Sequence, residues 1–81
     1  MKIERNLTEL KVGEKAIISS LDHNEVGIKL MEMGCLPGCE VKVKFKAPLG
    51  DPICYCIQGY NLLIRKKEAE NVKITLLDSN K

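Results

Sequence analysis

The chain has 81 residues, of which 44% are apolar and 30% are charged, and its formal net charge is +2. A chain of this length buries only about 60–65% of its unfolded surface, so the composition predicts one small globular domain over residues 1–81. The mild charge gives no reason to expect a nucleic acid as partner, because nucleic-acid-binding proteins concentrate basic residues on one face.

The amino-terminal segment alternates charged and apolar residues and has no apolar stretch of the kind found in signal peptides. The longest uninterrupted apolar run, ICYCI, is far shorter than the ~18 residues that suggest a membrane span. We therefore expect a cytoplasmic protein that does not insert into a membrane. The four cysteines are expected to be reduced thiols in that compartment.

The amino-terminal third of the chain predicts a helical turn followed by a strand. Leu7 and Leu10 are spaced as on one face of a short helical turn, and Gly13 is expected to end it. The segment KAIISSL, residues 15–21, is rich in apolar and β-branched residues and predicts the first strand.

Residues 24–33 predict one short helix. Its apolar residues are spaced four and three apart, which places them on one face: Val26, Leu30 and Met33. Asp22 is expected to cap the start of the helix, because its carboxylate can accept hydrogen bonds from free backbone N–H groups. Gly34 is expected to end the helix in a left-handed conformation.

A turn and a regularly alternating strand follow the helix. The sequence Leu-Pro-Gly-Cys, residues 36–39, predicts a type II turn with glycine at its third position. The next segment, EVKVKFKA, alternates and predicts a half-buried strand with Val41, Val43 and Phe45 inside. Its lysines are expected outside as a solvated face, with a contact strip for an acidic protein surface as the alternative: Lys42, Lys44 and Lys46.

The carboxy-terminal half predicts three more strands. ICYCIQG and YNLLIR are separated by Gly59, KKEAEN predicts a single helical turn, and VKITLL predicts a closing strand. About five short strands and one helix favour a mainly β fold, a small bent barrel that removes its own sheet edges. The strands and the helix are expected to share one core: Leu30, Met33, Val41, Val43, Phe45, Ile53, Tyr55 and Ile57. Replacing Phe45 by alanine should then cost about 3–4 kcal/mol.

The cysteines raise the question of a metal site. Their spacing differs from that of paired zinc knuckles, so we predict no metal ligands; the alternative is a shared ion at Cys35, Cys39, Cys54 and Cys56. Alternation with buried neighbours places Cys54 and Cys56 on the outer face, which predicts that both react readily with thiol reagents. The single histidine, His23, is expected on the surface. No catalytic motif is found, so we predict a non-enzyme without catalytic residues or a bound cofactor.

The loop of residues 47–52 has an unusual composition. Two prolines flank Leu-Gly-Asp, and such a stiff loop loses little entropy when it docks, which suits recognition. Prolines also protect sheet edges, and the physical argument leaves the two interpretations open. We predict a partner-binding surface comprising Ala47, Pro48, Leu49, Gly50, Asp51 and Pro52, extended by Met31 and Glu32 at the helix end. Leu49 is expected at the exposed tip, with Asp51 as its charged neighbour.

Three segments cover nearly the whole chain: LTELKVGEKAII, LMEMGCLPGCEVKV and APLGDPICYCIQGYNLLIRKKEAENVKI. In their motifs and in the order of those motifs they resemble the FeoA family, the small cytosolic companions of the FeoB ferrous iron transporter. One departure is the pair Ile28-Lys29, where many relatives carry consecutive basic residues; the four cysteines also look unusual for the family.

The resemblance implies an SH3-like barrel, similar to the carboxy-terminal domain of iron-dependent repressors. It further implies an accessory protein that docks on the cytosolic GTPase region of the transporter and supports ferrous iron uptake. It implies neither enzyme activity nor a fixed set of metal ligands. The alternative function is a cysteine-based chaperone with weak Fe²⁺ or Zn²⁺ binding.

Overall fold

The structure, a computed structural model, describes residues 4–77. Six strands in this segment form one antiparallel sheet in the order β1-β6-β2-β3-β4-β5. The strands are β1 (Glu4–Asn6), β2 (Lys15–Leu21), β3 (Glu40–Lys46), β4 (Ile53–Ile57), β5 (Tyr60–Ile64) and β6 (Val72–Leu76). The helices are a 3₁₀ turn (Leu7–Glu9), α1 (Glu25–Glu32) and α2 (Lys66–Ala69). The mainly β prediction is confirmed, with β1 as a strand that the sequence did not indicate.

The core is one cluster of buried side chains and is almost entirely aliphatic. Its buried side chains come from every strand except β1, from all three helical elements and from the segments that follow the 3₁₀ turn and α1: Leu7, Leu10, Ala16, Ile18, Leu21, Leu30, Cys35, Val41, Val43, Ile53, Tyr55, Ile57, Ile64, Ala69, Val72 and Ile74. Most of the predicted core is therefore confirmed. Two residues that were predicted to lie in the core, Phe45 and Met33, are exposed instead.

Phe45 leaves the core because β3 contains a β-bulge. Val43 pairs with Tyr55, but Phe45 pairs with Cys54, so the register shifts and Lys44 has no partner residue in β4. An extra residue in one strand reverses the inside-outside alternation beyond it. Phe45 is consequently 53% exposed on the outer face, and the prediction that it fills the core is wrong. The same shift interrupts the predicted lysine face, because Lys46 now pairs with buried Ile53.

The residue that caps α1 lies two positions after the predicted one. The side chain of Asn24, not that of Asp22, accepts a hydrogen bond from the Gly27 N–H at 2.8 Å and caps the helix. Asp22 is held instead through its backbone, whose N–H donates to the Asn71 carbonyl at 2.8 Å. Its carbonyl oxygen lies so close to α1 that a Cβ atom at Gly27 would overlap it. Glycine is therefore required at this helical position for a steric reason.

The end of α1 explains the exposure of Met33. The helical conformation is lost at this residue, whose φ and ψ are −87° and 1°, and Gly34 follows with φ of 102°, as the sequence predicts. The spacing of helical side chains holds only while the backbone is helical, so Met33 turns away from the face that carries Leu30. Met33 is 43% exposed, and the prediction that it lies in the core is wrong.

The two predicted tight turns are present. The Cys39 N–H donates to the Leu36 carbonyl at 3.1 Å, and Gly38 has φ of 92°, as a type II turn requires. Between β4 and β5, Gln58 and Gly59 have φ of 52° and 86° and form a two-residue hairpin loop. Positive φ at both positions matches the right-handed twist of the flanking strands.

Tyr55 lies at the centre of the core. Its ring is completely buried, and its hydroxyl donates to the Leu7 carbonyl at 3.4 Å, which joins the middle of β4 to the 3₁₀ turn. Burial, with smaller contributions from Asp51 and Cys35, raises the pKa of Tyr55 to about 12. The phenol therefore stays protonated and remains a donor throughout the physiological pH range.

In residues 4–77, no helix has the length and apolar character that crossing a bilayer demands.

Candidate functional site

The loop of residues 47–52 projects from the sheet between β3 and β4. The Ala47 N–H donates to the Pro52 carbonyl at 3.0 Å, and the Gly50 N–H donates to the Ala47 carbonyl at 2.7 Å. The peptide bond between Asp51 and Pro52 is cis, and Gly50 has φ of 89°. These contacts close the loop on itself and leave Leu49 at its tip, 96% exposed. The predicted exposure of Leu49 is confirmed.

Asp51 has a structural role that the sequence did not reveal. Its carboxylate oxygen Oδ1 accepts a hydrogen bond at 2.9 Å from the backbone N–H of Lys66, the first residue of α2. A carboxylate at the start of a helix accepts a hydrogen bond from a free backbone N–H group, and its negative charge interacts favourably with the positive end of the helix dipole. Asp51 therefore ties the loop to α2, and its side chain is already engaged, unlike that of Leu49.

A groove of about 660 Å³ adjoins the loop. Its apolar walls come from α1, the loop and β5: Val26, Leu30, Met33, Pro52 and Leu63. Its charged rim consists of Glu25, Lys29, Arg65 and Glu68. An apolar channel with a charged rim is the usual character of a surface that binds a peptide or a protein.

The end of α1 contributes Met33 to the groove, whereas Met31 and Glu32 were the residues predicted for the partner-binding surface. Met31 is half-buried and packs against the core, so little of its side chain is available to a partner. Glu32 is exposed. Met33 lines the groove together with Pro52, so the end of α1 and the loop border the same depression.

Two of the four thiols are buried and two are half-buried. Cys35 belongs to the core, and burial, with a smaller contribution from Cys39, raises its pKa to about 11. Cys39 and Cys56 are half-buried, and Cys54 is buried. Between residues 4 and 77, no three His, Cys, Asp or Glu side chains are grouped closely enough to hold a metal ion. The alternative in which all four thiols share one ion does not agree with this arrangement.

Cys54 lies on the outer face of β4, as alternation predicts, yet it is only 4% exposed. Its partners on the two neighbouring strands are Phe45 and Leu63, which are 53% and 61% exposed. Large side chains on adjacent strands approach closely enough to cover a small residue between them. The expectation that Cys54 is freely accessible is wrong, because the bulge brings Phe45 beside it.

We expect thiol labelling of the native protein at pH 8 to proceed in two groups. Cys39 and Cys56 should react within minutes, whereas Cys35 and Cys54 should react only as fast as the structure opens. Mass spectrometry of peptides after a timed maleimide pulse measures each site. A Cys56→Ser variant should lose one fast site and keep the two slow ones. Fast labelling of Cys54 would contradict its burial between Phe45 and Leu63.

The six-stranded antiparallel sheet and its single core define a small SH3-like β domain. Residues 5–76 match the family model described as the FeoA domain. The chain belongs to the FeoA family.

Three relatives illustrate the match. Over 75 residues the chain is 36% identical to the Fe(2+) transport protein A/Fe(2+) transporter FeoB fusion protein of Porphyromonas gingivalis, covering 91% of this chain but only 9% of that protein. It superimposes on an FeoA-like protein from Clostridium acetobutylicum with a TM-score of 0.90 at 32% identity, covering 100% and 95% of the two chains. It superimposes on the zinc complex of Stenotrophomonas maltophilia FeoA, described as a prokaryotic SH3 domain protein, with a TM-score of 0.74 at 25% identity, covering 91% and 88%. The predicted family and SH3-like barrel are confirmed.

Sequence reasoning located the loop but missed the groove beside it. Leu63 and Arg65 line the groove, but alternation along a strand says only that such residues are exposed. Leu63 and Arg65 line the same groove as Met33 because β5 lies at the end of the sheet, across the groove from α1. That position depends on strand order, which has no local signature in the sequence.

Proposed function

We propose that this protein is an accessory subunit that docks on the cytosolic GTPase region of a FeoB-type transporter and supports ferrous iron uptake. Family membership supports the connection with iron transport. The relative from Porphyromonas gingivalis supports the choice of partner, because it is a fusion of an iron transport protein A with the transporter FeoB. In this proposal iron is the cargo of the transporter, and this chain acts by binding, as neither an enzyme nor a metal carrier.

The observation that carries the proposal is the exposure of Leu49 on a braced loop. A leucine that is 96% exposed loses apolar contact with water only when another molecule covers it. The internal hydrogen bonds of the loop and the contact between Asp51 and Lys66 hold the tip in place before binding. A preorganised loop loses little conformational entropy on docking, so more of the contact energy appears as affinity.

The groove extends this surface and gives it a second apolar contact. Pro52 belongs to both the loop and the groove, so the loop that carries Leu49 borders the channel. Lys29 and Arg65 on the rim have no carboxylate within salt-bridge distance in the described chain, where the recorded ion pair joins Lys15 to Glu40 at 3.8 Å. Glu25 and Glu68 lie on the same rim, so the groove edge carries two charges of each sign and favours a partner with charges in a complementary pattern.

Replacing Leu49 by alanine is expected to weaken binding to the transporter's cytosolic region by about tenfold, the effect of an exposed apolar anchor at a docking site. The fold should be unchanged, because Leu49 has almost no intramolecular contact. Surface-immobilised GTPase region and titrated protein give the dissociation constant. Leu36→Ala, at another exposed leucine in a turn, is the matched control and should bind like the unsubstituted protein. Equal affinities for Leu49→Ala and Leu36→Ala would exclude the loop as the docking element.

Asp51 should be left intact in this experiment. Its carboxylate accepts the Lys66 N–H, so a combined change at Leu49 and Asp51 would also loosen α2. A loss of binding in such a double variant would not distinguish a lost contact from a displaced helix.

A further inference from the structure

The strand β5 has a free edge within residues 4–77 and contributes Leu63 to the wall of the groove. Among the described strands it lies at one end of the sheet and pairs with β4 alone. An uncovered edge presents backbone N–H and C=O groups that can pair with another chain. Proteins usually block such an edge, and in β5 the two central exposed positions are an asparagine and a leucine, Asn61 and Leu63, neither charged nor proline.

The hairpin loop determines which residues of β5 carry the free groups. A two-residue loop makes Ile57 and Tyr60 a hydrogen-bonded pair, and such pairs alternate along an antiparallel ladder. Tyr60, Leu62 and Ile64 therefore bond to β4. Asn61 and Leu63 direct their N–H and C=O groups toward the free edge, and within residues 4–77 no recorded hydrogen bond outside the β4 ladder reaches them.

The next position along the edge is already satisfied. The Arg65 N–H donates to the Glu68 carboxylate at 3.0 Å, and its carbonyl accepts from the N–H groups of Glu68 and Ala69 at 2.9 Å. The free edge is thus bounded by the hairpin loop at one end and by α2 at the other. It has room for about three residues of an added strand at the ~3.3 Å rise of a β-strand.

We propose that an extended segment of the transporter's cytosolic region adds to β5 as a seventh strand, with an apolar side chain in the groove. The inference rests on the proposed function and specifies how docking occurs. The segment has apolar residues at alternate positions, because successive side chains of a strand point to opposite faces. One of them packs against Leu30, Met33 and Leu63. The segment meets charges of both signs at the groove rim, because Glu25 and Glu68 lie there together with Lys29 and Arg65.

Strand addition fits the groove better than insertion of a helix. The groove volume of about 660 Å³ accommodates a few side chains, whereas a helix with its side chains is about 10 Å across. The free groups of Asn61 and Leu63 would lie unpaired against the apolar surface of a helix, and a buried unpaired backbone group costs free energy. An extended backbone supplies both a donor and an acceptor for each of them.

Asn61→Pro is the variant that separates backbone pairing from side-chain contact. Proline removes the Asn61 N–H and blocks the edge, yet it is tolerated at edge positions whose N–H faces solvent. Asn61→Ala removes the same side chain but keeps the N–H, so it is the matched control. The probe is the isolated cytosolic GTPase region of the transporter. We expect Asn61→Pro to weaken binding at least about tenfold and Asn61→Ala to bind like the unsubstituted chain.

Amide hydrogen exchange of the unsubstituted protein provides a test that needs no substitution. The Asn61 and Leu63 amides should exchange quickly in the free protein and slow at least about tenfold in the presence of the GTPase region. The Leu62 amide, already bonded to β4, serves as the internal reference.

The outcomes distinguish this inference from the proposed function. Binding that is equal for Asn61→Pro and Asn61→Ala, with unprotected Asn61 and Leu63 amides, overturns strand addition and leaves docking intact. No binding by the unsubstituted chain overturns both. Self-association that Asn61→Pro abolishes would assign the edge to a second copy of this chain and overturn the choice of partner.

Discussion

Replacing Tyr55 by alanine is expected to lower the free energy of unfolding by about 3–5 kcal/mol, the cost of deleting a buried aromatic ring and leaving a cavity. A domain of 81 residues has a total stability of only about 4–12 kcal/mol, so the variant should be largely unfolded at elevated temperature. Tyr55 is completely buried and is the largest core side chain. Its hydroxyl also donates to the Leu7 carbonyl, which would lose this partner. Urea denaturation followed by circular dichroism measures the change.

Phe45→Ala is the matched control for that variant. Both residues are aromatic and lie on paired strands, but Phe45 is 53% exposed on the outer face. Its loss should cost less than about 1 kcal/mol, in place of the 3–4 kcal/mol expected for a core position. A large loss of unfolding free energy for Phe45→Ala together with a small loss for Tyr55→Ala would show that β3 has no bulge between Val43 and Phe45.

Gly27→Ala is expected to destabilise the fold by about 1–3 kcal/mol, although alanine is intrinsically the better helix former by about 1 kcal/mol. The added methyl group would overlap the carbonyl oxygen of Asp22, which is backbone and cannot rotate aside. The start of α1 must then shift, and the hydrogen bond between Asn24 and the Gly27 N–H is strained with it. The same denaturation measurement detects the loss.

Lys29→Ala provides the comparison on the same helix. Lys29 is exposed, so this change should alter stability by no more than about 0.5 kcal/mol. A stabilising effect of Gly27→Ala would mean that helix propensity dominates and that α1 and Asp22 are farther apart than described.

Local sequence patterns predicted most of the fold because most of the strands alternate regularly. The segment 15–21 and the hairpin around Gly59 were located correctly, since both depend on residues close in the sequence. The strand β1 has three residues and forms only by pairing with β6, nearly seventy positions later. A strand this short carries no periodic signal of its own.

The errors at Phe45 and Cys54 have one common cause. Alternation predicts the face of each residue only while the register holds, and the bulge in β3 lies between Val43 and Phe45. No glycine or proline at this point marks the bulge in the sequence. Its position depends on how β4 pairs with β3, and this pairing also brings Phe45 beside Cys54 and buries the thiol.

The candidate site was predictable to the extent that its chemistry is local. Prolines and a glycine within six residues indicated a stiff loop with Leu49 at its tip. The role of Asp51 was not predictable, because its partner, the Lys66 N–H, is 15 residues away. The groove was not predictable either, because it joins a helix, a loop and an edge strand that only the strand order brings together.

The hydrogen bond between Asp51 and Lys66 has a further consequence for affinity. It fixes the loop to α2, and Glu68 of α2 in turn holds the Arg65 N–H at the end of β5. These hydrogen bonds link the loop that carries Leu49 to the end of β5. In the proposed docking, a transporter that has engaged Leu49 would meet the free strand edge at a high effective concentration, and two weak contacts would combine into a tighter bivalent attachment.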